Sequence, residues 1–222
     1  MSDTIEAEKN ELFSHFSVPR ETVNKLERYV ELLREWNERI NLVADSSLLH
    51  VWSRHILDSA QLMKFIPDTA RSVFDLGSGA GFPGLVLAIL GAPGVHLIES
   101  VGKKANFLRL VAGELGLNAR VHQERIEEIR DLRADVITAR ALKPLSELLS
   151  LTKPLMHKGS ICLFPKGQHV DAELTEAQKY WTFACEKHSS FSDRTGTVLK
   201  ITDLKELHPH GSRRVPRRKK HR

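Results

Sequence analysis

Between Arg20 and Val43, apolar residues recur at Val23, Leu26, Tyr29 with Val30, Leu33, Trp36 and Ile40, while Glu, Arg and Lys fill the other positions. That spacing predicts an amphipathic helix with one buried face, opening after Pro19 at "RET". A second stretch, "SLLHVWSRHILDSAQLMKFI", repeats it with Leu49, Trp52, Ile56, Ala60 and Met63, and Pro67-Asp68 ends it. From Ser72 the period changes. "SVFDL", "GLVLAIL", "VHLIES", "KKANFLRLVAGELG", "ARVHQ", "IEEIRDL", "ADVITARAL", "LSELLSL" and "SICLFPKG" alternate short apolar runs with amphipathic ones. The alternation predicts βαβ units and a parallel sheet covered on both faces. "YWTFACEKHSSF" and "RTGTVLKITDL" have only "SDRTG" between them, which predicts a hairpin and an antiparallel last strand. The expected class is α/β, a Rossmann-like, mostly parallel sheet behind an N-terminal helical cap. The cap is expected over residues 1–68, the sheet domain over 69–208 and a tail over 209–222.

A hydrophobic fraction of 41% is enough for a packed core. No apolar run approaches the ~18–20 residues that span a bilayer, and the opening "MSDTIEAEKNELF" is too polar for a secretory signal. Both features predict a cytoplasmic protein without a membrane partner. Cys162 and Cys185 make no disulfide framework and read as buried thiols. The net charge of +5 is uneven: Arg213, Arg214, Arg217, Arg218, Lys219, Lys220 and Arg222 crowd the end without an acid. Without them the balance tips to the acidic side. Such a block predicts a salt-dependent grip on phosphates.

The densest chemistry is "FDLGSGAGFPG", Phe74 to Gly84. Asp75 closes the first strand, Gly77, Gly79 and Gly81 make the turn, and a helix is expected to begin near Phe82-Pro83, since proline suits a first helical turn. In an open parallel sheet this is where ligands bind. Gly79, Gly81 and Gly84 also satisfy G-x-G-x-x-G, with Glu99 twenty residues after Gly79. An NAD(P)-dependent oxidoreductase therefore stays open on pattern. Charge favours another ligand. A carboxylate at Asp75 repels a pyrophosphate on the helix N-terminus but suits S-adenosyl-L-methionine, which carries an ammonium and a sulfonium. Glu99 would then accept the ribose hydroxyls.

The acceptor is narrowed by what is missing. "ITARALKPL" stands where an Asp/Asn-Pro-Pro-aromatic turn would serve an exocyclic amine. Neither cysteine is placed to add to a pyrimidine ring, and no clustered Asp and Asn ligands for a metal can be assembled. Guanine N7, already nucleophilic, needs alignment more than a general base.

At these residues the chain resembles the bacterial small-subunit ribosomal RNA guanine-N7 methyltransferases, the glucose-inhibited division protein B family. The likeness runs from about Leu32 to Lys200 through "REWNERINLV", "WSRHILDSAQL", "FDLGSGAGFPGLVLAIL", "LIESVGKKANFLRLVAGELGL", "ERIEEI", "ITARAL" and "FPKGQ". It implies a Rossmann-like enzyme that uses S-adenosyl-L-methionine to methylate a guanine of 16S ribosomal RNA. The partner is expected to be that RNA or the small ribosomal subunit, and the enzyme a monomer. It also implies that Gly77 and Phe82 line the cofactor, that Ile126 and Glu127 bracket the adenine, and that Arg140 lines the site. Phe82 departs from the family's common leucine, and "FPKGQ" from its usual apolar residue before Lys-Gly-Gln.

Other residues carry two readings each. Arg140, ending an apolar strand, must be paired, either as a bridge to Glu127 or a carbonyl, or at the pocket facing RNA. Lys166 is an RNA-phosphate contact or a solvated loop lysine. His55 and Asp58, three apart on a helix, read as a polar network docking the cap, with Asn37 and Asn41 in similar roles. Trp36, Trp52 and Trp181 read as core.

Overall fold

The structure, a computed structural model, describes residues 2–207. The basic segment with Arg213, Arg214, Arg217 and Arg218 lies outside the described residues. A seven-stranded sheet has the order β3-β2-β1-β4-β5-β7-β6, formed by β1 (Val73–Leu76), β2 (Val95–Ile98), β3 (Ala119–His122), β4 (Ala134–Thr138), β5 (Met156–Lys166), β6 (Trp181–Ser189) and β7 (Thr197–Glu206). β7 runs antiparallel to both of its neighbours, and the pairs from β3 to β5 are parallel. The order reverses between β1 and β4, so the carboxyl end of β1 opens onto a crevice.

Buried residues of the parallel strands serve both faces. Val73, Val95, Leu97 and Leu163 join one cluster, whereas Phe74, Leu76, Ile98 and Phe164 join the other. The first face is covered by α1 (Ser2–His15), α2 (Arg20–Asn37), α5 (Gly84–Ile89) and α6 (Gly102–Glu114), the second by α7 (Leu145–Thr152) and α8 (Val170–Ala177). On α2, Leu26, Tyr29 and Leu33 are fully buried in the same cluster as Leu85 and Phe107. At ~1.5–3 kcal/mol for each large apolar side chain, peeling α2 away would cost an amount comparable to a domain's whole stability.

Three local expectations are corrected. The second cap stretch is not one regular helix: α3 (Asp45–Leu48) is followed by a π-type turn over Trp52–Leu57, then α4 (Asp58–Ala60), then a 3-10 turn over Gln61–Phe65. The changes of pitch still bury Trp52, Ile56, Leu57, Gln61 and Leu62. "IEEIRDL" forms only a 3-10 turn, Ile126–Glu128: the backbone turns extended at Ile129, with ψ at 123°, and Asp131 then takes a left-handed φ of 59°. Cys162 is buried, but Cys185 is exposed. It lies on β6, the sheet's edge strand, where few residues are covered.

Candidate active site

The first strand delivers Asp75 to the crevice, but its side chain does not point out of it. Asp75 is fully buried. One carboxylate oxygen accepts the Gly84 amide at 3.1 Å, and the other accepts the Thr138 hydroxyl at 3.1 Å. Burial pushes this carboxyl up from 3.8 to about 6, against the pull of its hydrogen-bond donors. Gly84 opens α5, with Pro83 just before the helix rather than in its first turn. A Cβ on Gly84 would lie 2.3 Å from Leu97 Cδ2 and 2.7 Å from Asp75 Oδ2, so only glycine admits the carboxylate this close. The expected direct contact between Asp75 and a ligand is therefore corrected: the carboxylate is turned inward, onto the start of α5.

Between Asp75 and Gly84 the chain turns through Gly77, Gly79 and Gly81, all at positive φ. Glu99, just beyond β2 and 7% exposed, braces the turn from outside. One oxygen accepts the Gly79 amide at 2.9 Å and the other the Val101 amide at 2.7 Å. Ile126 and Glu127 follow β3, the next strand over, so the glycine turn, Glu99 and the 126–127 turn stand at the carboxyl ends of three adjacent parallel strands. Ile126 is half-buried and Glu127 exposed. Glu127 pairs with Arg125 at 3.3 Å, and a backbone hydrogen bond, then that arginine, hold its carboxyl below its ordinary value.

Phe82 ties the loop to the cap. The His55 ring stacks on it at 4.7 Å, Tyr29 lies tilted at 5.3 Å, and the Arg140 guanidinium sits 5.0 Å from its centroid. The Tyr29 hydroxyl donates to the Ala80 carbonyl at 2.7 Å. Burial and the nearby Arg140 and Arg54 push His55 down to about 3, so this imidazole is neutral beside two guanidiniums. Arg140 does not reach Glu127. It donates to the Arg54 carbonyl at 3.0 Å and pairs with Asp58 at 3.3 Å, which makes it the bridge from β4 to the cap. Asn37 does not dock the cap on the sheet: it accepts the Leu42 and Val43 amides and donates to Asp45, all within the cap itself. Exposed Asn41 does no such work.

A cavity of about 1070 Å³ opens beside the loop, over the ends of β4 and β5. Its lining includes Arg54, Asp58, Arg140, Leu142, Lys166, Glu173, Ser190 and the run Ser192 to Arg194. Leu142 stands between it and the turn: a Cβ on Gly77 would meet its Cδ1 at 2.6 Å. Lys166 is not a solvated lysine. Its ammonium is paired with Glu173 at 2.7 Å and donates to the Lys143 carbonyl. The structure thus gathers Arg140 and Lys166 at the cavity and Gly77, Gly79, Glu99, Ile126 and Glu127 beyond Leu142. Tyr29, Gln61 and Glu173 carried no signal beyond ordinary helix positions.

The sequence model of the GidB family, described as rRNA small subunit methyltransferase G, matches residues 22–201. The chain belongs to this family. Among the family's members, the ribosomal RNA small subunit methyltransferase G of Rhodospirillum centenum is 52% identical over 189 residues, covering 85% of this chain and 88% of its own length. That of Rhodospirillum rubrum is 48% identical over 187 residues, covering 84% and 93%. The fold is wider than the family: the glycopeptide N-methyltransferase MtfA, solved with S-adenosyl-L-methionine, superposes with a TM-score of 0.57 at 10% identity, over 67% of this chain and 93% of its own.

Proposed function

We propose that this chain transfers a methyl group from S-adenosyl-L-methionine to N7 of a guanine in 16S ribosomal RNA, with Arg140 and the cavity serving the acceptor. The observation that carries the reading is the Asp75 carboxylate on the Gly84 amide. A dinucleotide pyrophosphate would need that amide, and would meet a buried negative charge there instead. A cationic ligand above the same turn is attracted by it. When bound, S-adenosyl-L-methionine supplies an electrophilic methyl group on a sulfonium. Gly77 and Gly79 offer bare backbone, and each Glu99 oxygen keeps a second lone pair for a sugar hydroxyl. Ile126 and Glu127 are the candidates for holding the adenine, Phe82 for the loop wall. Guanine N7 brings its own lone pair, so the protein's task is alignment and exclusion of water. An imidazole lowered to about 3 and an ion-paired guanidinium suit that task, since neither takes up a proton near neutral pH.

Arg54 and Arg194, both exposed at the cavity and outside every ion pair among the described residues, extend the RNA-contact candidates. Arg140 and Lys166 spend charge on Asp58 and Glu173. The basic residues Arg213, Arg214, Arg217 and Arg218 would add sequence-independent affinity. One chain walls both the loop and the cavity, which supports action as a monomer. No helix among the described residues is long and apolar enough to cross a membrane, and a ribosomal RNA substrate supports a cytoplasmic setting. The test is labelled methyl transfer to small subunits lacking the modification: one methyl per particle, on guanine N7, supports the reading. No transfer to particles or free 16S RNA overturns it.

A further inference from the structure

The seven residues joining β6 to β7, 190–196, wall the cavity on one side and rest on the cap with the other. Four cap side chains meet them. Gln61, 1% exposed, accepts the Phe191 amide at 3.0 Å and donates to the Ser190 hydroxyl at 3.2 Å. Asp58 accepts the Ser192 hydroxyl at 2.8 Å on one oxygen while the other oxygen pairs with Arg140. The His15 ring stacks on Phe191 at 4.5 Å, and the Lys64 ammonium lies 4.3 Å from the same ring's centroid.

A fully buried amide is costly unless its hydrogen bonds are made. Gln61 makes them to a loop 129 and 130 residues away and to Asp58, at 3.0 Å on both its carbonyl and carboxylate oxygens. Asp58 completes a path from that loop through the cap to Arg140 at the end of β4. The loop's inner bonds, Ser190 N to the Gly196 carbonyl and Gly196 N to the Asp193 carbonyl, close it into one piece, so a brace at 190–192 also sets where Arg194 stands.

We infer that Gln61 and Asp58 are positioning residues, through which the helical cap holds the 190–196 loop as the acceptor-side wall of the cavity. This rests on the proposed methyl transfer to ribosomal RNA. The inference assigns the cap a specific job, shaping the RNA site, while the cofactor side is left to the glycine turn.

The test uses the full chain, small subunits lacking the modification, and S-adenosylhomocysteine as the cofactor-side probe. Ser192→Ala removes one hydroxyl from an accessible loop and leaves the fold intact. It is expected to raise KM for the particle about three- to tenfold, as the hydroxyl's bonds to Asp58 and Ser190 are lost, with kcat and S-adenosylhomocysteine affinity unchanged. Ser192→Thr, which keeps the hydroxyl, restores the KM. Gln61→Leu raises KM as well, and the double variant raises it less than the product of the two, as partners in one network do. Wild-type KM in Ser192→Ala, or equal loss of cofactor affinity, overturns the inference. A wild-type chain that fails to methylate the particles overturns the methyl-transfer reading instead.

Discussion

The Asp75 carboxylate accepts the amide of Gly84, nine positions further along the chain, at 3.1 Å and in full burial. The protein thereby places its own anion where a nucleotide-binding fold of the dinucleotide type keeps room for phosphate. Glu99 does a related job from outside, holding the Gly79 amide. The turn is braced by two carboxylates, and both add negative potential beneath whatever binds over it.

Gly84→Ala tests the closeness of that contact. Its new methyl would overlap Leu97 and the Asp75 carboxylate, both under 3.0 Å away. Overpacking of this kind costs about 1–3 kcal/mol, and the shift falls on the turn itself. Chemical denaturation is expected to show that loss, with weaker S-adenosylhomocysteine binding in calorimetry. An unchanged midpoint and affinity contradict it.

Tyr29→Phe keeps the ring against Phe82 and deletes the bond to the Ala80 carbonyl. The carbonyl loses a buried partner, for about 1 kcal/mol of stability. Because Ala80 lies within the glycine turn, S-adenosylhomocysteine affinity is expected to fall with it. A stability loss with unchanged affinity would show that the bond serves the core and not the turn.

Asp75 and His55 pull stability in opposite directions with pH. The folded chain keeps a proton on Asp75, at about 6, that the unfolded chain has released. This contribution, about 3 kcal/mol at most, is complete below the unfolded value and lost as pH rises through 6. His55, lowered from 6.5 to about 3, contributes stability above 6.5 that is lost as pH falls toward 3. His96, lowered to about 4, acts in the same sense. In denaturant melts between about pH 4 and 7, Asp75→Asn should steepen the rise of stability with pH and His55→Gln should flatten it. Parallel profiles for both variants and the parent contradict these assignments.

Cys185 and Cys162 separate by exposure. Cys162 is buried and its thiol is pushed far up by burial, whereas Cys185 is exposed with a smaller upward shift of the same cause. A disulfide reagent should titrate one thiol in the native protein and a second only after unfolding. Cys185→Ser removes the fast one. Two native thiols reacting together contradict the burial of Cys162.

Much of this was legible before the structure, and the remainder failed for physical reasons. Period alone marked the change from cap to sheet near Ser72, because apolar spacing reports directly on which face is buried. The glycine turn and Glu99 were legible because positive φ and a strand-end acid leave marks in residue type. The direction of the Asp75 side chain was not, since residue identity does not say whether a carboxylate faces a ligand or an amide. The partners of Arg140 and Lys166 were equally hidden: Asp58 is 82 residues from Arg140, and Glu173 reaches Lys166 from the next helix. Tyr29 and Gln61 sat within helical patterns where an aromatic or an amide looks ordinary. Long-range pairing is a property of the packed chain, and no local spacing encodes it.

Which ligand the glycine turn accepts decides the chemistry, and one competitive calorimetric titration measures it. S-adenosylhomocysteine should bind at one site per chain, and prior addition of NADH should neither release heat nor reduce that binding. NADH occupying the site, or S-adenosylhomocysteine failing to bind, would contradict the methyl-transfer reading.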